Sequence, residues 1–193
     1  MEKIRSFIAI ELPGELKLEL TQLQARLKAD NQPRIKWVNP NSMHLTLKFL
    51  GNIAPAMIDQ ITEAMTDAAQ KVPPFNLDVQ QLGAFPNLKR VQVVWLGLGG
   101  EIDKIKQLHQ FIEANLARLG FAPEQRPLKP HLTLARVGNE ASPDERQRFV
   151  ELIASTKFET IQIIRVESIN LIRSQLTREG AIYSQISSAK LLE

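Results

Sequence analysis

The sequence predicts an α+β fold made of two similar lobes. Strand-like runs alternate with four helically periodic segments along the 193 residues, and the phrase HLTLKFLG at 44–51 is written again as HLTLARVG at 131–138. No stretch rich in Gly, Ser or Pro divides the two copies, so 1–193 reads as one domain whose second half echoes its first.

In chain order, RSFIAIEL (5–12) is the first strand. GELKLELTQLQARLKAD (14–30) follows as a helix, because Leu16, Leu20, Leu23 and Leu27 recur at spacings of four, three and four and form one stripe. HLTLKFL is the next strand, and PAMIDQITEAMTDAAQK (55–71) is a second helix striped by Ile58, Ile61, Met65 and Ala68. FNLDVQQLGAF (75–85) and VQVVWLGL (91–98) are strands ahead of a third helix, EIDKIKQLHQFIEANLARLG (101–120), stopped by Gly120. After HLTLAR, a fourth helix opens on Ser142, Pro143, Asp144 and Glu145, a capping box with proline at the first helical position. IQIIRVESINLIRS (161–174) and AIYSQISS (181–188) are strands joined through TREG (177–180) as a hairpin turned at Gly180.

The composition, 44% apolar and 23% charged, is that of an ordinary globular protein. There is no cysteine, which excludes disulfide and thiolate chemistry and fits a reducing compartment. The apolar run near the N-terminus is too short for a signal-peptide core and nothing is long enough to span a bilayer, so a cytoplasmic protein with no membrane partner is expected. Net charge is only +3, but its distribution is uneven. Residues 31–58, 79–100 and 125–139 contain no Asp or Glu, yet hold Arg34, Lys36, Lys48, Lys89, Arg90, Arg126, Lys129 and Arg136. The rest of the chain carries 16 basic residues against 21 acidic ones. Both copies of the phrase lie in acid-free windows, which favours a phosphate-bearing ligand.

Two of the three histidines are spent in the repeated phrase. On a strand, His44 and Thr46 point one way and Leu45 and Leu47 the other, as do His131 and Thr133 against Leu132 and Leu134. The leucines go to a core, and each strand presents an imidazole and a hydroxyl together. Two imidazoles across one cleft are the minimum equipment for phosphodiester chemistry: one accepts the proton of an attacking water, the other protonates the departing oxygen. An unperturbed pKa of about 6.5 lets either protonation state be reached near neutrality. The threonine hydroxyls suit the nonbridging oxygens, where charge builds in the transition state. Zinc would require at least three protein ligands, and the phrases offer two histidines with no carboxylate or cysteine, so no metal is expected. His109 reads as a border residue of the third helix, Trp37 and Trp95 as core or rim, and no nucleotide-binding loop is present, so no cofactor is implied.

The paired His-x-Thr phrases, 87 residues apart, resemble the two-histidine phosphoesterase superfamily, and the details are similar to its RNA 2′,3′-cyclic phosphodiesterase, or 2′,5′ RNA ligase, branch. RSFIAIELP, HLTLKFLG, RVQVVWLGL, KPHLTLAR and LIRSQLTREGAIYSQI carry the likeness over essentially the whole chain. It implies a bilobal fold with a pseudo-twofold repeat, each lobe an antiparallel sheet backed by helices, and an active site in the central cleft. It also implies metal-free hydrolysis of an RNA terminal 2′,3′-cyclic phosphate to a 2′-phosphomonoester, with reversible 2′,5′ joining of RNA ends. The expected partner is RNA with such an end, tRNA fragments included, acted on by a monomer. By resemblance His44 is the proton donor and His131 the proton acceptor, Thr46 and Thr133 bind the phosphate, Arg136 is an additional phosphate ligand and Phe49 a base-stacking platform. Strict alternation instead puts Lys48 on the His44 face as a rival phosphate contact. Phe49 and Arg136 reach the cleft only if each strand ends, bulges or twists before them, and Gly51 and Gly138 supply such endings. The alternatives are an RNA-end binding module, or a phosphodiesterase for another cyclic or 2′,5′-linked nucleotide.

Overall fold

The computed structural model describes residues 2–28 and 34–192. Two antiparallel sheets form. The first has the order β3 (His44–Ile53), β1 (Ile4–Glu11), β8 (Ser168–Thr177), β9 (Gly180–Lys190). The second has the order β2 (Ile35–Trp37), β6 (His131–Val137), β5 (Val93–Gly100), β4 (Phe75–Phe85), β7 (Ile163–Val166). The helices are α1 (Gly14–Lys28), α2 (Ile58–Ala69), α3 (Ile102–Ala117) and α4 (Pro143–Ser155). Each copy of the repeated phrase starts a strand, β3 in one sheet and β6 in the other.

The lobes are not the two halves of the sequence. The first sheet takes its strands from both ends of the chain, and β2 visits the second sheet before β3 returns to the first. The run 161–174, read as one strand, is two: β7 pairs with β4, the chain breaks at Glu167, and β8 pairs with β1 in the other sheet. Alternation persists across such a crossing, so periodicity does not register it. β2, with three residues, is too short to carry a pattern. The second helix opens as a 3₁₀ turn at Pro55–Met57 before the α-helix proper, and the expected end of the first helix at 29–30 lies outside the described residues.

One apolar cluster takes side chains from both sheets and all four helices. Leu16, Leu20, Leu23 and Leu27 are at most 1% exposed, each contributing about 1.5–3 kcal/mol of transfer free energy. Leu45, Leu47, Leu132 and Leu134 join the same cluster, which fixes the opposite face of both motif strands away from the helices. The capping box of α4 forms as expected: Ser142 Oγ accepts from the Glu145 N–H at 3.2 Å, and Glu145 Oε2 accepts from the Ser142 N–H at 2.7 Å. The Ser142 backbone N–H, and after it the Ser142 side chain, hold the Glu145 carboxyl below its ordinary value.

Gln24 ties the segment that leads into the first motif strand to the second motif strand. Its buried Nε2 donates to the Val38 carbonyl at 2.6 Å and to the Leu134 carbonyl at 3.2 Å, while the Val38 N–H donates to Leu134 O at 2.9 Å. A 3₁₀ turn at Pro40–Ser42, capped by Asn39 Oδ1 accepting from Asn41 N–H at 3.0 Å, then leads straight into His44. The strand bearing the first histidine is thus launched from a residue hydrogen-bonded to the strand bearing the second, and β3 contacts β6.

Candidate active site

From its first residue, β3 reads half-buried, buried, half-buried, buried, buried, exposed, buried, and β6 repeats this sequence position for position. The cause is a bulge at the same place in each phrase. Opposite β3, Ala9 pairs with Thr46 and Ile8 with Lys48, leaving Leu47 as the extra residue. Opposite β6, Trp95 pairs with Thr133 and Val94 with Ala135, leaving Leu134 extra. One unpaired residue reverses the alternation that follows it. Phe49 and Arg136, at odd offsets from their histidines, therefore come out on the imidazole face and are exposed.

Lys48 goes the other way. It is buried on the helix side, where its Nζ donates to Glu113 Oε1 at 2.8 Å, Oε2 at 2.9 Å and the Ala122 carbonyl at 2.9 Å. The alternation argument that made it a rival phosphate contact fails at the bulge, since the ammonium is committed to a carboxylate behind the sheet. His109 also differs from its reading as a border residue. It is buried beside the same carboxylate, with Nε2 3.4 Å from Glu113 Oε1 and a backbone hydrogen bond at Leu47. Burial, first among the causes, pulls its pKa below the usual histidine value.

His44 sits in an aromatic frame. Phe7 on β1 stacks under it with ring centroids 4.6 Å apart and planes 20° from parallel, and Tyr183 on β9 meets it edge-on at 5.0 Å. Phe7 also touches Phe49 at 6.0 Å and Tyr183 at 5.2 Å. Burial is the largest influence on His44 and lowers its pKa; a backbone hydrogen bond at Ser42 and the Glu11 carboxylate act upward, and Lys17 downward. An open cleft of about 600 Å³ lies beside His44, between the 37–43 segment and the β8–β9 hairpin.

His131 has a matching support. Its Nδ1 lies 2.6 Å from the Lys129 carbonyl, two residues upstream, as Ser42 is two residues upstream of His44. A carbonyl only accepts, so Nδ1 carries the proton in the neutral ring and Nε2 presents its lone pair. Phe85 meets the imidazole edge-on at 5.1 Å and Trp95 lies at 6.5 Å. Trp95 is thus on the histidine face of its sheet, whereas Trp37 packs edge-on against core Phe149 at 5.9 Å. Phe7, Tyr183 and Phe85 were missed by sequence reasoning; the only available signal was that strands neighbouring the two phrases carry aromatics.

Each of the two sheets thus offers a His-x-Thr strand bulged at one equivalent place, and the two strands touch. The chain belongs to the LigT like Phosphoesterase family, which matches residues 10–95 and again 97–183. A relative from Methanothermobacter thermautotrophicus, an RNA 2′,3′-cyclic phosphodiesterase, is 33% identical over 98% of this chain and 100% of its own length. One of the same name from Aquifex aeolicus is 28% identical over 96% of each. Among solved structures, LigT of E. coli in its apo form superposes with a TM-score of 0.78 at 25% identity, over 100% of both chains.

Proposed function

We propose that this enzyme hydrolyses the 2′,3′-cyclic phosphate at the end of an RNA, leaving a 2′-phosphomonoester. The observation that carries the reading is the twin bulged strand. In each lobe it brings an imidazole and a hydroxyl to one face, then delivers a different fifth residue, Phe49 in one and Arg136 in the other. The division of labour follows. Thr46 and Thr133 donate to the nonbridging oxygens and Arg136 adds charge for phosphate, while Phe49, 72% exposed, offers a ring to the base. The names of the relatives at 33% and 28% identity support the substrate.

In the proposed step, His131 Nε2 takes a proton from water as the water oxygen bonds to phosphorus. The bond from phosphorus to O3′ breaks, and His44 gives its proton to O3′. A 5′-hydroxyl in the place of water would give a 2′,5′ linkage by the same two transfers, so hydrolysis and joining share one site. The assignment of the donor to His44 agrees with its desolvated setting, which makes its protonated form a stronger acid.

The test is an oligoribonucleotide ending in a 2′,3′-cyclic phosphate, with 2′ and 3′ products resolved. The 2′-phosphate is expected to accumulate, and His44→Ala and His131→Ala each to lower turnover by about 10² to 10⁴ with the circular dichroism spectrum unchanged. Accumulation of the 3′-phosphate would reverse the assigned leaving group and sink the reading.

A further inference from the structure

Arg136 has a cross-strand neighbour that the reading above leaves unused. Lys36 on β2 is its direct antiparallel partner, so the two side chains leave the same face of the second sheet. Because the β6 bulge puts Arg136 on the histidine face, Lys36 is there too, and both are exposed. Ile35 and Trp37 on either side of it face the core. On the other side of Arg136 the row continues with Val93 and then Phe85, the ring that touches His131. The row contains no carboxylate, and its members come from the three acid-free windows of the sequence.

Like charges directly opposite one another on a sheet face are destabilising. Among the described residues neither Lys36 nor Arg136 forms an ion pair. Nearby Arg34, by contrast, is partnered by Glu145 at 3.7 Å and by the Glu140 carbonyl. A like-charged pair on the histidine face, with no ion-pair partner among the described residues, points to an anion supplied by the ligand. Its place along β6 says which one. Arg136 lies five residues past His131, one of them absorbed by the bulge, or roughly 13 Å of strand. Arg136 can lean toward the reacting phosphate, but Lys36, one strand further out at the edge of the sheet, is set for a neighbouring one.

We infer that Lys36, beside Arg136, forms a second phosphate subsite that holds an internal phosphodiester of the RNA, upstream of its cyclic end. This rests on the proposed reaction and adds to it a reason to prefer oligomers over mononucleotides. Lys89 and Arg90, exposed on the turn that follows Phe85, extend the positive end of the sheet beyond the row.

The experiment compares wild type, Lys36→Ala and Lys36→Arg on a nucleoside 2′,3′-cyclic phosphate and on an eight-residue oligoribonucleotide with the same terminus, over a range of salt. Lys36→Ala should leave kcat/KM for the mononucleotide unchanged. For the oligomer it should lower kcat/KM by roughly threefold to tenfold at low salt, through KM, and flatten the log–log salt slope by about 0.7, the value for one lost phosphate contact on a single strand. Lys36→Arg should restore both. An equal loss on the two substrates, or none on the oligomer, overturns the subsite. If wild type turns over neither substrate, the proposed reaction has failed instead. The subsite is then judged by the same variants and salt series in fluorescence anisotropy with a labelled oligoribonucleotide ending in a 2′-phosphate, where an unchanged slope overturns it.

Discussion

Lys48 Nζ lies 2.8 Å from Glu113 Oε1, and this pair, a buried lysine and a half-buried glutamate, sits directly behind the bulge that turns Phe49 to the His44 face. The corresponding residue of the second motif is Ala135, fully buried among apolar side chains. The two lobes therefore hold the same bulge by different means. Glu113 also accepts the Glu124 N–H at 3.0 Å, so the pair anchors the loop after α3 as well as the strand. Removing one partner leaves the other charge partly desolvated and unpaired, which costs at most about 3–5 kcal/mol, the figure for a fully buried pair. Lys48→Met should lower the midpoint of urea unfolding accordingly, and Glu113→Gln somewhat less, since an amide still accepts from Lys48. The double variant Lys48→Met with Glu113→Leu should recover much of the loss. A Lys48→Met protein as stable as wild type would show that the pair does not hold the bulge.

Lys48 also shows how far the sequence could be read. His-x-Thr twice in acid-free windows was enough to find the two motif strands, and leucine alternation was enough to place their core faces. The same alternation, carried past Leu47, assigned Lys48 and Phe49 to the wrong faces, because a bulge leaves no mark in composition. Glu113, 65 residues away, is what makes a buried lysine tolerable there, and only the fold brings them together. His109 was misplaced for the same reason: a helix stripe shows which way a side chain leans, not that another element covers it. Tyr183 was invisible because its importance lies in being two strands away from β1 across β8, a sheet order that local pattern does not contain.

Gly83 is expected to be intolerant of any side chain. A Cβ there would sit 2.4 Å from the indole ring of Trp95, which packs tilted against Phe85 at 5.0 Å. The indole cannot retreat without disturbing Phe85 and, through it, His131. Gly83→Ala should cost about 1–3 kcal/mol by overpacking and lower kcat together with stability. Intrinsic tryptophan fluorescence would report the displaced ring; an unshifted spectrum with full activity would refute the clash.

Stability should fall in mild acid. His44 and His109 both have folded-state values below 6.5, the value each regains on unfolding, chiefly through burial. Where the folded value is depressed, the unfolded chain binds more protons once the pH drops below 6.5. Stability is therefore full above that pH, declines as pH falls toward the folded values, and levels off below them. Chemical denaturation between pH 7.5 and 5 should show this decline, reduced in His109→Gln, which keeps an amide for Glu113 and the Leu47 backbone. An undiminished slope in that variant would remove His109 from the account.

The pH of maximum rate should respond to Tyr183. If one imidazole must be charged and the other neutral, the rate peaks midway between two apparent values that belong to the pair, whichever ring plays which part. Desolvation lowers His44, so it draws that midpoint toward acid. Tyr183 supplies one wall of the desolvating frame, edge-on at 5.0 Å, while Phe7 supplies the floor at 4.6 Å. Tyr183→Ala opens that wall to water and should raise the His44 value, which moves the optimum of kcat/KM to higher pH. Tyr183→Phe keeps the ring and should leave the optimum where it is. A shift in the phenylalanine variant equal to that in alanine would mean that the hydroxyl, and not the apolar wall, governs the imidazole. The desolvation account of His44 would then be wrong.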